Sequence, residues 1–180
     1  MGLTLAELLD LYDAKAPLEQ AYTIPAAWYL DARMEQLERE QVFGRNWIAV
    51  GRLDQVAKPG AFFTIELAGE PLVVVRGSDG ELRAFYNVCR HHAAAVANVP
   101  CGIVQHLRCP YHGWTYGLDG SLKGAPEFAG VCNFDRGQNG LVPVRVATWE
   151  KFVFVTLDED TPSLAQLATD VLEPGRGHRS

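Results

Sequence analysis

The sequence has no apolar run approaching the ~18 residues of a membrane-spanning helix. Its start, MGLTLAELLD, lacks the basic stretch and apolar block of a secretory signal. Ala6 stands where a Met1-Gly2 start would need serine or threonine for myristoylation. Positive charge is in deficit, with 16 lysines and arginines against 22 acidic residues and a formal charge of -6. A nucleic-acid binder usually carries a basic face, so the balance argues against that class, and no membrane partner is expected either. Internal repeats and low-complexity segments are missing. What is left is a chain expected in the cytoplasm, 48% hydrophobic and so able to build a core, with an acidic surface that suits solubility.

Cysteine is also sparse: Cys89, Cys101, Cys109 and Cys132 are the four. An even count in a small secreted chain would suggest disulfides. Without an export signal, a reducing compartment favours metal ligation instead. Cys89 and Cys109 each have a histidine close by in sequence. Cys101 and Cys132 do not, and are expected to be ordinary buried or half-buried thiols, since free cysteine behaves as a small hydrophobe.

Periodicity divides the chain in three. Residues 1–45 read as a helical extension. Thr4 and Glu7 make a capping box ahead of Leu5, Leu8, Leu9 and Tyr12. A second helix is predicted over 31–42, with Asp31 as N-cap, Leu30, Met34 and Leu37 as its apolar stripe, and Gly44 at its end. Residues 46–158 read as many short strands with turn signals at Pro59-Gly60, Ser78-Asp79-Gly80 and Asp119-Gly120. One strand is expected over 103–107, with His106 inside it, and 125–139 reads as loop. Residues 159–180 read as a short helix opened by Thr161-Pro162-Ser163, then a disordered tail over 176–180. The fold class is mainly β, an antiparallel sandwich or barrel with helices at both ends.

The stretch with chemistry is Cys89-Arg90-His91 and Cys109-Pro110-Tyr111-His112, a C-x-H-x17-C-x2-H pattern. Cys89, His91, Cys109 and His112 are the candidate metal ligands. A donor pair this closely spaced suits two adjacent irons better than a single ion. Thiolates from Cys89 and Cys109 would hold one iron, and imidazoles from His91 and His112 the other. Replacing two thiolates by imidazoles raises the reduction potential of an iron–sulfur centre. Zinc also takes two cysteines and two histidines, although its usual pairs are like donors, whereas here the donors alternate. A chain with no metal is the third reading, against which stands the specificity of four donors at this spacing followed by Gly113-Trp114.

The segments NVCRHHAAAV and RCPYHGWTYGLDGSL resemble the two cluster loops of Rieske [2Fe-2S] proteins. More narrowly, the chain resembles the N-terminal Rieske domain of ring-hydroxylating oxygenase large subunits, including the choline monooxygenase-like branch. The likeness runs from about Trp28 to Leu167 and includes VFGRNWIAVGRLDQV, GELRAFYNVC and KFVFVTLDED. It implies a small antiparallel β sandwich with one [2Fe-2S] cluster at its tip, Cys89 and Cys109 on one iron, and His91 and His112 on the other. The high-potential branch carries an extra cysteine in each loop and serine and tyrosine donors. None of these is evident in the sequence, so a low-potential cluster is expected. Many members have Arg-Gly after the first histidine ligand. Here His92-Ala93 stands there, which suggests a modest loop difference, with His92 a polar neighbour rather than a third ligand. Trp114 would shield the cluster from below and Tyr111 would do likewise, with an ordinary packing role the alternative for each.

In that family a separate mononuclear iron, held by two histidines and a carboxylate, activates oxygen. Only His92, His106 and His178 remain beyond the cluster pair, and none is placed to build such a site. The resemblance therefore implies one-electron transfer from a reductase or ferredoxin to a mononuclear-iron catalytic domain, with this chain as the Rieske domain or a truncated form of an oxygenase. The alternative is a self-standing Rieske electron carrier, or a vestigial protein with the fold and no oxygenase activity. The outer nitrogens of His91 and His112 are expected at the surface, marking the docking face.

Overall fold

Successive side chains of a strand point to opposite faces, so Val73-Val74-Val75 needs a sheet covered on both sides. In the computed structural model, which describes residues 2–128 and 130–172, these valines and Leu72 are fully buried. Val73 and Val75 share one core with Phe62 and Phe85. Leu72 and Val74 share a second with Phe63 and Ala84.

The strands are β1 (Ile48–Arg52), β2 (Ala61–Leu67), β3 (Glu70–Arg76), β4 (Leu82–Tyr86), β5 (Cys101–Ile103), β6 (Leu107–Arg108), β7 (Thr115–Tyr116), β8 (Leu122–Gly124), β9 (Pro143–Trp149) and β10 (Phe152–Thr156). Seven form one sheet in the order β1-β10-β9-β4-β3-β2-β5, and β6-β7-β8 form a second. Every pairing is antiparallel. The second core takes Phe63 from β2 and also Val153 and Val155 from β10, strands far apart in the sheet order. The large sheet therefore curls around that core. Its other face carries Phe62, Val73, Val75 and Phe85 in one core with Leu107 and Tyr116 of the small sheet and with Cys109 and Trp114 between its first two strands. The expected mainly β, antiparallel fold is present, with its layers made by a curled sheet and a small one.

The helices are α1 (Leu5–Leu9), α2 (Ala26–Leu30), α3 (Ala32–Glu38) and α4 (Leu164–Leu172). Thr4 and Glu7 cap α1 reciprocally, as expected. Asp31 accepts from the Arg33 N–H at 3.0 Å to cap α3. The helix predicted over 31–42 is α only to Glu38 and then continues as a π turn, Arg39–Phe43, with Gly44 N–H reaching Arg39 O at 2.9 Å. Met34 is buried, but Leu30 is 84% exposed and leaves the apolar stripe. Helix α4 begins after Ser163, whose hydroxyl accepts from Gln166 N–H at 3.4 Å. Pro162 therefore precedes the helix rather than opening it, and its carbonyl accepts from the Trp47 indole at 2.8 Å. The 176–180 tail and His178 lie outside the described residues. Among the described residues, no helix is long and apolar enough to cross a membrane.

The single strand expected over 103–107 is two, because the chain changes sheets there. Strand β5 ends at Ile103, Val104 N–H donates to Gly60 O at 3.0 Å, and β6 starts at Leu107. His106 sits exposed in the bend between them, not within a strand.

Candidate metal centre

The second Cys-His loop is the tip of a hairpin. Leu107 pairs with Tyr116 and Arg108 with Thr115, bracketing Cys109 to Trp114. Within the tip, Cys109 N–H donates to Trp114 O at 2.8 Å, and Gly113 N–H donates to Cys109 O at 3.1 Å. The first loop repeats the frame at the same offsets, with Cys89 N–H on Ala94 O at 2.9 Å and Ala93 N–H on Cys89 O at 3.0 Å. Both frames need a left-handed residue at their fifth position. Gly113 has φ +75° and Ala93 φ +58°. Glycine adopts this region without penalty, whereas alanine pays ~1–2 kcal/mol. The loop difference expected at Ala93 is therefore one of strain and not of path.

The matched frames place Cys89 and Cys109 in one buried core, and His91, Cys109 and His112 line one cavity. The Cys89 and Cys109 side chains are buried. The His91 and His112 rings lie 4.8 Å apart, centroid to centroid. His112 is exposed and His91 half-buried. His91 Nδ1 is buried with no hydrogen-bond partner among the described residues. A buried polar atom without a partner is costly, and ligation of a metal would satisfy it. Burial, then the neighbouring His92 and His112, hold the His91 pKa below its ordinary value, which favours the neutral form that ligates metal. Two enclosed thiols, and on the same pair of loops an imidazole nitrogen lacking a partner, fit the donor set of a [2Fe-2S] centre. His92 is exposed, with its ring 3.9 Å from that of His91. The three imidazoles place ligand atoms within 4.8 Å of one another, but a site built from them would leave both buried thiols unused.

Tyr116 on β7 is the feature the sequence reading missed. Its hydroxyl accepts from Arg90 N–H at 3.0 Å and lies 3.2 Å from Cys89 Sγ. With that N–H already given to the oxygen, the hydroxyl proton is free to be donated to sulfur. Burial first, then the bond to Cys89, raise the Tyr116 pKa and keep it a donor. A tyrosine donor to a cluster thiol is thus present, correcting the expectation of none. The available signal was register: Tyr116 follows Trp114 by two positions, so strand alternation turns both into the same core.

Trp114 is buried and stacks on His91 at 4.8 Å with 5° between the planes. Phe128 meets both rings edge-on, at 5.7 Å from His91 and 5.1 Å from Trp114. Phe134 packs on Phe128 at 4.6 Å. The 125–139 loop, aperiodic in sequence, thus supplies two aromatic walls. Tyr111 does not share the shielding role: it is 66% exposed and stacks on the outer His112 at 3.8 Å. Cys101 and Cys132 are exposed, contrary to expectation. One sits on the edge strand β5 and the other in the 125–139 loop.

The profile of the Rieske [2Fe-2S] domain family matches residues 46–147. Among curated proteins, the chain is 40% identical over 168 residues to choline monooxygenase, chloroplastic, of Arabidopsis thaliana, covering 93% of this chain and 40% of that protein. It is 39% identical to the carnitine monooxygenase oxygenase subunit of Escherichia coli, over 86% of this chain and 42% of that one. Among solved structures, the apo form of a quaternary ammonium Rieske monooxygenase superposes with a TM-score of 0.77 at 35% identity, covering 86% of this chain and 45% of that one. Naphthalene 1,2-dioxygenase from Rhodococcus sp. gives 0.79 at 30% identity, over 86% of this chain and 36% of that one. The chain thus spans about two fifths of the length of the curated relatives it matches.

Proposed function

The chain belongs to the Rieske [2Fe-2S] domain family, and from that premise we propose that Cys89 and Cys109 hold one iron of its cluster and His91 and His112 the other. The carrying observation is the repeated loop frame, which presents one buried thiol and one imidazole from each side. When bound, the cluster supplies one-electron redox chemistry. The protein's part is to hold it and set its environment. Tyr116 donates toward Cys89, while Trp114, Phe128 and Phe134 exclude water from the His91 side. The exposed His112 ring, under Tyr111, offers the route by which an electron leaves.

Residues 46–158 form the cluster domain, flanked by 1–45 and 159–180. Strand β1 starting at Ile48 and β10 ending at Thr156 support that division. The domain accepts one electron from a reductase or ferredoxin and passes it to a mononuclear iron in a catalytic domain. The likeness to proteins named choline and carnitine monooxygenase supports quaternary ammonium compounds as the substrate class of that system. Among the described residues, His106 is the only histidine away from the three at the loops, so oxygen chemistry falls to that other domain.

The test is reduction followed by turnover. Supplied with NADH, a reductase and oxygen, the purified chain should accept one electron per cluster and form no hydroxylated product from choline or carnitine. Hydroxylation by the chain alone would contradict this assignment.

A further inference from the structure

The two cluster loops share an inner frame but are closed by different means. In the second loop, the step outward from the frame is backbone pairing, Leu107 with Tyr116, two residues before Cys109 and seven after it. In the first loop, the matching positions are Asn87 and Val96. The ladder has ended there: β4 stops at Tyr86, and residues 94 to 97 belong to no strand.

The Asn87 side chain stands in for the missing ladder. It is 4% exposed. Its Oδ1 accepts from Val96 N–H at 3.0 Å and Ala97 N–H at 2.8 Å. Its Nδ2 donates to Ala97 O at 2.7 Å. A carboxamide has the donor and acceptor of a peptide group, so one side chain reproduces what a strand partner would provide. The backbone of Asn87 is itself fixed, with its N–H on Pro71 O at 2.8 Å. The clasp therefore ties the first loop to the large sheet through β3. Val96 and Ala97, the residues it grips, pack in the core that contains Cys89, Cys109 and Trp114.

We propose that Asn87 is the positioning residue of the cluster, closing the 88–95 loop so that Cys89 and His91 are held for ligation before the metal arrives. Its side-chain hydrogen bonds go to Val96 and Ala97 and not to either ligand, so it acts through the loop. The second loop needs no counterpart, because its hairpin is closed by backbone alone. This inference rests on the cluster assignment above.

The experiment uses the purified holoprotein with Asn87→Ala, Asn87→Asp and Val153→Ala. Val153 is buried in the other core, so it controls for general loss of stability. Each protein is assayed for iron release to a chelator, for the EPR spectrum of the reduced state, and for amide hydrogen exchange. Asn87→Ala should release iron at least ~tenfold faster than wild type, because two buried amides lose their acceptor. Its Val96 and Ala97 amides should lose protection while that of Tyr116 keeps it. Asn87→Asp, which retains the acceptor oxygen, should restore much of the retention, and Val153→Ala should release iron as wild type does. Release from Asn87→Ala no faster than from Val153→Ala would overturn the clasp. So would Val96 and Ala97 amides as protected in Asn87→Ala as in wild type. A wild-type protein without a [2Fe-2S] signal would instead overturn the cluster assignment, and the exchange data would still decide whether Asn87 closes the loop. Should Asn87→Ala fail to fold, Asn87→Asp against Asn87→Leu carries the same comparison.

Discussion

The Tyr116 hydroxyl lies 3.2 Å from Cys89 Sγ and takes the Arg90 N–H at 3.0 Å, joining the small sheet to the first cluster loop through one oxygen. A hydrogen bond to a thiolate favours the more negative, reduced state of the centre. Tyr116→Phe should lower the reduction midpoint by tens of millivolts. About 1 kcal/mol of hydrogen-bond energy corresponds to roughly 40 mV for one electron. An unchanged midpoint would show that the proton points elsewhere. With no cysteine in either loop beyond the ligands, the wild-type midpoint should be negative, and a clearly positive value in a redox titration would contradict the low-potential assignment.

Ala93 occupies the left-handed region that Gly113 occupies in the partner loop, at φ +58°. Ala93→Gly should relieve the strain at some cost in chain entropy, for a net gain of ~0.5–1 kcal/mol. Ala93→Val should lose more than that, because a branched side chain fits the region worse. Denaturant midpoints for the two variants would check the opposite signs. Equal destabilisation by both would rule out backbone strain as the cause.

Trp114 contributes through its ring rather than its indole N–H, which is buried without a partner among the described residues. Trp114→Phe should therefore cost only ~1–2 kcal/mol, from lost volume and stacking on His91, whereas Trp114→Ala should cost ~3–5 kcal/mol. The comparison is read by thermal and denaturant unfolding. A Phe variant as damaged as the Ala variant would imply that the N–H holds an acceptor in the loaded protein.

His92 separates the four-ligand assignment from a site of three imidazoles. Its ring is 3.9 Å from that of His91, yet it is exposed. His92→Ala should keep its iron and its visible spectrum. His91→Ala, His112→Ala, Cys89→Ser and Cys109→Ser should each purify with most of the iron lost. Loss of iron from His92→Ala equal to that from His91→Ala would move His92 into the ligand set.

The strands and the four candidate ligands were legible in the sequence because both follow local rules. Val73-Val74-Val75 announces a strand buried on both faces, and C-x-H with C-x2-H announces paired donors. Register across elements was less legible. Tyr116 reaches Cys89 only because β7 folds beneath the first loop, and Asn87 grips Val96 and Ala97 across nine and ten positions. The aromatic walls at Phe128 and Phe134 come from a loop without period, where nothing in the spacing says which way a ring turns. Cys101 and Cys132 were misjudged because burial was inferred from residue type, whereas an edge strand and an open loop decide it. The break at 104–106 was hidden because a chain passing between two sheets keeps the extended look of one strand.

Iron and acid-labile sulfide analysis, with EPR on the dithionite-reduced protein, tests the central claim most directly. The account predicts a red-brown protein with two irons and two sulfides per chain, as the [2Fe-2S] cluster requires, and the anisotropic spectrum of a centre ligated by two cysteines and two histidines. A colourless protein carrying zinc, or a spectrum of all-cysteine ligation, would contradict it.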